Sequence, residues 1–475
     1  MRKPLIWAAV IGAALASRRL MRPHGDKHWS ERVRETGESY RYASTRILIL
    51  GAGFGGLTAA LHLEQKLKAS GKSRVLVIDR NNDLLFTPLL WTVANGRASP
   101  NNVVIPIRDF QKGRPFHVRH AEIERIDLDQ KEVRTSQGSL PYDILVIALG
   151  SHTAVPDLPG LREHALPFHT PADALQLRNH LIDAVESAHY ATDPVERREW
   201  LTFVVGGAGD TGIELAAIVH DYLFTGLFGA YPWLADAPVR VVIVGRAERI
   251  LPMSDRRTSH LVSHALEQEG IEVLTGKSIT GVEETAVQTS SGSIPARTLF
   301  WAAGITAPSV VRHLPVPHAR NGSVLVDNYL RIPGHPEVYV IGDSAWAYDS
   351  TTKAPVPPTA QAARQQGHYV GREIARRCIH QPALPYRYTP LGHLALLGHA
   401  TGVARVGPLT FGGFPAWVLW HLVYLLRNPS QKKRIRLVVD WLLSGLLGPE
   451  TGQLRLETEI SQDARVPEPM ADRQN

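Results

Sequence analysis

The sequence predicts an α/β protein: two doubly wound parallel-sheet domains, the second inserted in the first, followed by a C-terminal region of different, amphipathic character. Three observations predict it. Residues 46–56, RILILGAGFGG, run from branched apolar residues into glycines at 51, 53 and 56. Residues 201–214, LTFVVGGAGDTGIE, repeat that passage with glycines at 207, 209 and 212. Residues 414–447 carry two short apolar stretches, rich in Trp, Tyr and Leu, around a basic RNPSQKKRIR.

The first passage is a buried strand, a tight turn and a helix over 57–68. Gly51 lets the chain turn, Gly53 lets backbone approach a pyrophosphate, and Gly56 lets helix and strand pack closely. The positive helix start then holds phosphate charge. The unit therefore reads as Rossmann-like and dinucleotide-binding, the alternative being a parallel α/β turn whose glycines merely save space. An apolar strand over 74–78 ends at Asp79, placed where a carboxylate receives a ribose hydroxyl. The first part of residues 80–100 carries Asn, Asp and Pro, against regular structure. Yet Leu84, Leu85, Phe86, Leu89, Leu90 and Trp91 are apolar, so another domain or a flat ring must cover them. Strands over 116–119, 123–127 and 132–134 predict a small meander. PYDILVIALG, 141–150, predicts a buried strand that rejoins the first sheet with Gly150 at its tip.

A helix over 172–187 leads into the second glycine passage. Two such units in one chain imply two dinucleotides, and hence electron transfer between them. The strand over 239–244 ends at Gly245 and Arg246 instead of a carboxylate. An arginine pairs with a 2′-phosphate, which tilts the expectation toward NADPH or relaxed specificity. Asp210 on the turn either repels a pyrophosphate or caps the helix. The chain is expected to return to the first domain through RTLFWAAG, 297–304, and then EVYVIGD, 337–343. Asp343 then sits at a strand tip, where it accepts ribityl hydroxyls or caps a turn. In the helix from Thr359, Gln361 and Gln365 share a face. Its N-terminus would point at a flavin's pyrimidine edge.

Composition narrows the function. Net charge is +7, with 44% apolar and 20% charged residues, the balance of a globular protein. Lys and Arg are scattered except near the ends and show no aromatic-interleaved basic motif, so no nucleic acid is expected. There is one cysteine, Cys378. That excludes an intrachain disulfide and any mechanism needing a redox-active cysteine pair. No metal set is expected. Residues 4–16 are apolar between basic flanks, shorter than the ~20 residues a span needs. They suit a membrane-touching anchor or a signal segment ending at Ala14-Leu15-Ala16. The C-terminal apolar stretches are also too short to span. Aromatics beside Lys432, Lys433, Arg434 and Arg436 suit helices lying in an anionic membrane interface. A buried helical hairpin or a homodimer contact is the competing expectation.

Together these residues resemble the type II NADH:quinone oxidoreductases, flavoproteins with two dinucleotide domains. The likeness rests on DRNNDLLFTPLLWTVANG, ALPFHTPADALQLRNHL, RTLFWAAG, HPEVYVIGD, TAQAARQQG and LALLGHATGVARVGPLTFGGFPAWVLWHLVYLL, in that order. It implies non-covalent FAD against Gly51, Ala52, Gly53, Phe54, Gly55, Gly56, Asp79, Arg80, Pro88, Leu89, Gly150, Gly342, Asp343, Ala360 and Gln361. It implies NADH or NADPH against Gly207, Gly209, Asp210, Thr211, Gly212 and Gly304, to which the reading of the strand ends adds Gly245, Arg246 and Ala303. Glu214 would sit near the nicotinamide for proton handling, or else make an interdomain hydrogen bond. Gln361 and Gln365 would face a membrane quinone, with Glu214 and Gln361 as the catalytic pair.

The expected division is 1–43 apolar segment and linker, 44–170 and 297–380 FAD domain, 171–296 NAD(P)H domain, 381–454 membrane-associating domain and 455–475 tail. The implied location is the cytoplasmic face of the cell membrane, held peripherally. The chain departs from the family at Gly245, where a glutamate is usual, and at Asp210, where no acid is usual. Alternative functions are reduction of a soluble acceptor, or nucleotide binding without catalysis.

Overall fold

The computed structural model describes residues 40–455 apart from 42, 68–72, 113 and 115. The N-terminal apolar stretch, most of the linker and the tail beyond 455 lie outside the described residues.

Strand β1 (Thr45–Leu50) leads through the first glycine turn into helix α1 (Phe54–Leu67) and strand β2 (Ser73–Asp79). Ile47 to Leu50 are fully buried, as a central strand covered on both faces requires. Strand β3 (Ile144–Ile147) then pairs with β1 as expected. Strands His152–Thr153 and Ile305–Thr306 pair antiparallel and form the two crossings between domains.

Helix α2 (Pro171–Tyr190) opens with a capping box between Thr170 and Asp173. Strand β4 (Thr202–Gly206), helix α3 (Asp210–Asp221) and strand β5 (Arg240–Val244) repeat the first unit. Strand β6 (Thr298–Trp301) completes this core. The chain returns through strand β7 (His335–Val340) and helix α4 (Ala360–Cys378), capped by Thr359.

The first sheet has the order Arg331–Ile332, β7, β3, β1, β2, His117–His120; the second runs Ala165–Pro167, β6, β4, β5, Glu272–Leu274. Three expectations are corrected. Residues 297–304 do not return to the first sheet, because β6 pairs in parallel with β4. Residues 165–167 also pair with β6, so the inserted unit extends beyond both expected borders, out to the crossings at 152–153 and 305–306. His117–His120 is an edge strand on β2, and the meander takes Gly138–Pro141 as its third strand. Glycine and proline at 138 and 141 hid that strand, and the run PYDILVIALG absorbed its end. The segment after Asp79 is also more regular than its composition suggests: Asp83–Leu85 pairs with Val104–Pro106, and Leu90–Ala94 is helical.

The C-terminal module begins with a meander, β8 (His393–Leu396), β9 (Gly402–Val406) and β10 (Leu409–Gly412). Helices α5 (Phe414–Arg427) and α6 (Gln431–Leu447) follow. Trp420 is 1% exposed and meets Trp91 edge-on at 5.1 Å, so α5 packs on the apolar segment, whose helix also rests on α2 and α3. Asp440 of α6 accepts hydrogen bonds from the Ser99 backbone and the Asn102 amide. The meander rests instead on the inserted domain, where Arg405 pairs with Asp255 at 2.7 Å. The module therefore touches both domains. No described helix is long and apolar enough to cross a membrane.

Candidate active site

Register gathers the predicted residues at two sheet edges. Leu50, Ile78, Ile147 and Val340 lie in line across the first sheet, so Gly51, Asp79, Ala148 and Ile341 share its C-terminal edge. Gly206, Val244 and Trp301 lie in line across the second, so Gly207, Gly245 and Ala302 share its edge. Ligands of open parallel sheets bind outside such edges.

At the first edge Gly51 has φ +95°, and a Cβ there would lie 2.2 Å from the Ala148 carbonyl oxygen. A Cβ on Gly56 would lie 1.9 Å from the Gly51 oxygen, whereas one on Gly53 would meet nothing within 4 Å. The three glycines thus serve turn, packing and open approach. Gly55 and Gly367 bring α1 and α4 together backbone to backbone, 2.2 Å from a Gly367 Cβ to the Gly55 oxygen.

The Asp79 carboxylate accepts from the Ala52 and Asn81 amides at 2.6 and 2.8 Å, and burial raises its pKa. Arg80 is exposed beside it, Pro88 is half-buried, and Leu89 is core. Phe54 tilts against Phe86 at 5.7 Å. Gly150 and Gly342 both have φ +68°. Asp343 accepts from the Ser151 hydroxyl at 2.8 Å, and burial raises its pKa too.

Gln366, which the sequence reading passed over, accepts from the Gly342 amide at 2.6 Å and fixes that strand tip. Nothing in AQAARQQG distinguished it from Gln365. At the start of α4, beside Ala360, Gln361 donates to the Tyr388 hydroxyl at 3.1 Å. Gln365 is clamped to the Thr389 backbone through both ends of its amide. The shared face therefore meets residues 388–389, and Gln365 acts there as a brace.

The second edge repeats the geometry. Gly207 has φ +122°, and its Cβ would lie 2.6 Å from the Ala302 oxygen. A Gly212 Cβ would lie 1.9 Å from the Gly207 oxygen, and Gly209 faces open space. Gly245 is buried, and a Cβ on it would lie 2.4 Å from the Ala208 methyl. Arg246 and Thr211 are exposed, and Ala303 and Gly304 follow β6 at the same edge.

Asp210 opens α3, but Gly209 is the cap, so the expected capping role is not seen. Its carboxylate instead pairs with His393 of β8. One turn on, Glu214 has a pKa raised from 4.5 to about 8, chiefly by burial and then by the Asp210 charge. His393 and the Leu396 amide oppose that shift. His421 of α5, enclosed with Trp91, Trp417, Trp420 and Trp441, is held neutral by burial, its pKa lowered to about 4.

On α6 the basic run divides. Lys433 and Arg434 turn back to the Asn101 and Asn428 carbonyls. Lys432 and Arg436 stay exposed with Ile435, Val439, Leu443, Leu446 and Leu447.

Comparison with known proteins agrees with this layout. Residues 45–367 match the family model described as pyridine nucleotide-disulphide oxidoreductase, and 391–449 match the NDH2 C-terminal domain. The chain is 32% identical to the type II NADH:quinone oxidoreductase Ndh of Mycobacterium tuberculosis, over 86% of this chain and 90% of that one. It is 31% identical to the demethylphylloquinone reductase NdbB of a Synechocystis species, over 84% and 96%. NDH2 from Plasmodium falciparum in complex with NADH has the same fold, with a TM-score of 0.76 at 22% identity over 85% and 99%.

Proposed function

The chain belongs to the type II NADH:quinone oxidoreductase family, and on that premise we propose that it passes a hydride from NADH or NADPH to FAD and two electrons on to a membrane quinone. The balance is NAD(P)H, one proton and quinone giving NAD(P)⁺ and quinol. The observation that carries the reading is the pair of like-built glycine turns, each at the C-terminal edge of its own parallel sheet.

The residues fit a flavin dinucleotide. Gly53 and Gly150 both face open space at one edge. The first intrahelical bond of α1 runs from Leu57 to Gly53, so the amides of Phe54, Gly55 and Gly56 have no intrahelical acceptor and can meet phosphate. Gly51–Gly56, Asp79, Asp343 and the start of α4 would hold it. When bound, a flavin supplies hydride acceptance and release of electrons to a quinone.

The protein's own residues do the rest. Asp79 and Asp343 accept hydroxyl hydrogens at the edge. Glu214, protonated at neutral pH, holds a proton on its carboxyl group between the inserted domain and the C-terminal module. Gln361, held by the Tyr388 hydroxyl at the start of α4, would face the quinone. Arg246, exposed beside Gly245 at the end of β5, favours a 2′-phosphate. The stripe from Lys432 to Leu447 would rest on an anionic lipid surface.

The test is anaerobic. The full chain, purified in detergent, should carry a flavin absorbance band that NADH or NADPH bleaches and a quinone restores. A colourless chain that cannot be reconstituted refutes the reading. Bleaching that quinone does not reverse points to a soluble acceptor.

A further inference from the structure

We propose that His393 neutralises Asp210 and so admits a dinucleotide pyrophosphate to the second glycine turn, making the C-terminal meander part of the nucleotide site. The inference rests on the nucleotide reading of that turn. Asp210 is the first residue of α3, where amides and helix dipole attract phosphate. A lone carboxylate there opposes the same phosphate. The Asp210 side chain is 57% exposed, so it stands on the side of the turn open to a ligand.

The structure supplies the remedy from far along the chain. His393 Nε2 meets Asp210 Oδ1 across 183 residues. The groups facing the imidazole are Asp210 and Glu214 from α3, and Arg405, its cross-strand partner on β9. Arg405 is itself paired with Asp255, which blunts its repulsion. From α5, Tyr424 faces the same two carboxylates and carries no charge, its pKa raised by burial. The carboxylates outweigh burial, so His393 keeps its proton to higher pH than a free imidazole. Among the described residues its buried Nδ1 has no partner, and the hydrogen bond that holds this ring is the one to Asp210.

His393 acts through Asp210 and is a positioning residue. The consequence is a pH-dependent affinity: tight while His393 is charged, weaker as pH rises past its pKa and Asp210 is left uncompensated.

The test titrates the full chain with ADP-ribose, which carries the pyrophosphate and cannot transfer hydride, and reads the dissociation constant calorimetrically. His393→Ala should weaken binding about tenfold, the effect of one unscreened charge a few ångströms from phosphate, and flatten the pH profile. Asp210→Asn should bind no worse than the parent. The double variant should recover most of the loss.

A loss in His393→Ala that Asp210→Asn does not share is something a purely structural latch cannot produce. Equal weakening by both, or an unchanged constant in His393→Ala, overturns the proposal. If the unaltered chain does not bind ADP-ribose at all, the nucleotide reading of the second turn falls, and this inference with it.

Discussion

Gly207→Ala tests the second sheet edge in a way the chain itself can control. The new methyl would lie 2.6 Å from the Ala302 oxygen, against an ordinary carbon–oxygen contact of about 3.3 Å. The turn must therefore open by about 0.7 Å. The backbone must also keep φ +122°, which costs a non-glycine residue about 1–3 kcal/mol. Overpacking against backbone adds about 1–3 kcal/mol. Taking about 4 kcal/mol in all, the inserted domain should melt about 8–16 °C earlier.

Losing one charge-assisted bond from the displaced turn, about 1.5–3 kcal/mol, weakens ADP-ribose about 10- to 100-fold. Flavin content should stay at the parental level. Gly51→Ala, whose Cβ would lie 2.2 Å from the Ala148 oxygen at φ +95°, is the mirror experiment. It should empty the flavin and spare ADP-ribose. If Gly207→Ala binds ADP-ribose like the parent, the second turn is not the pyrophosphate site.

Three other outcomes follow from the same geometry. Glu214 is bound to its proton in the fold up to about pH 8 but only to about 4.5 when free, so the native state holds more protons in that window. Stability should then fall as pH rises from 4.5 to 8 and level off above, and Glu214→Gln should flatten that slope in chemical denaturation series. Arg246→Ala should cost about tenfold in NADPH affinity and leave NADH unchanged within about twofold, measured by competition with ADP-ribose. Replacing Leu443, Leu446 and Leu447 together by Asp should leave the melting temperature within about 2 °C, since these side chains are 50%, 80% and 82% exposed. The same triple change should abolish sedimentation with anionic vesicles; undiminished binding would mean another surface meets the lipid.

What the sequence determined by itself is local. A turn that demands positive φ, a helix that must pass within contact of a carbonyl, and a strand buried on both faces leave only glycines and branched apolar residues free to occupy those positions. That is why both strand–turn–helix units were legible at Gly51–Gly56 and Gly207–Gly212, and why one cysteine sufficed to exclude dithiol chemistry.

The tertiary structure decided what depends on which elements become neighbours. The strand at 298–301 has no feature that assigns it to one sheet over the other; the order around β4 does. Gln365 and Gln366 are adjacent and chemically identical, yet helical rotation sends one to Thr389 and the other to Gly342. Lys433 and Arg434 look like surface charge until the loop carbonyls beneath them are seen. Asp210 reads as a liability until the meander folds over the inserted domain and sets His393 against it. Backbone constraints act between near neighbours and are written where they act, whereas charge compensation acts through space and is written only in the packing.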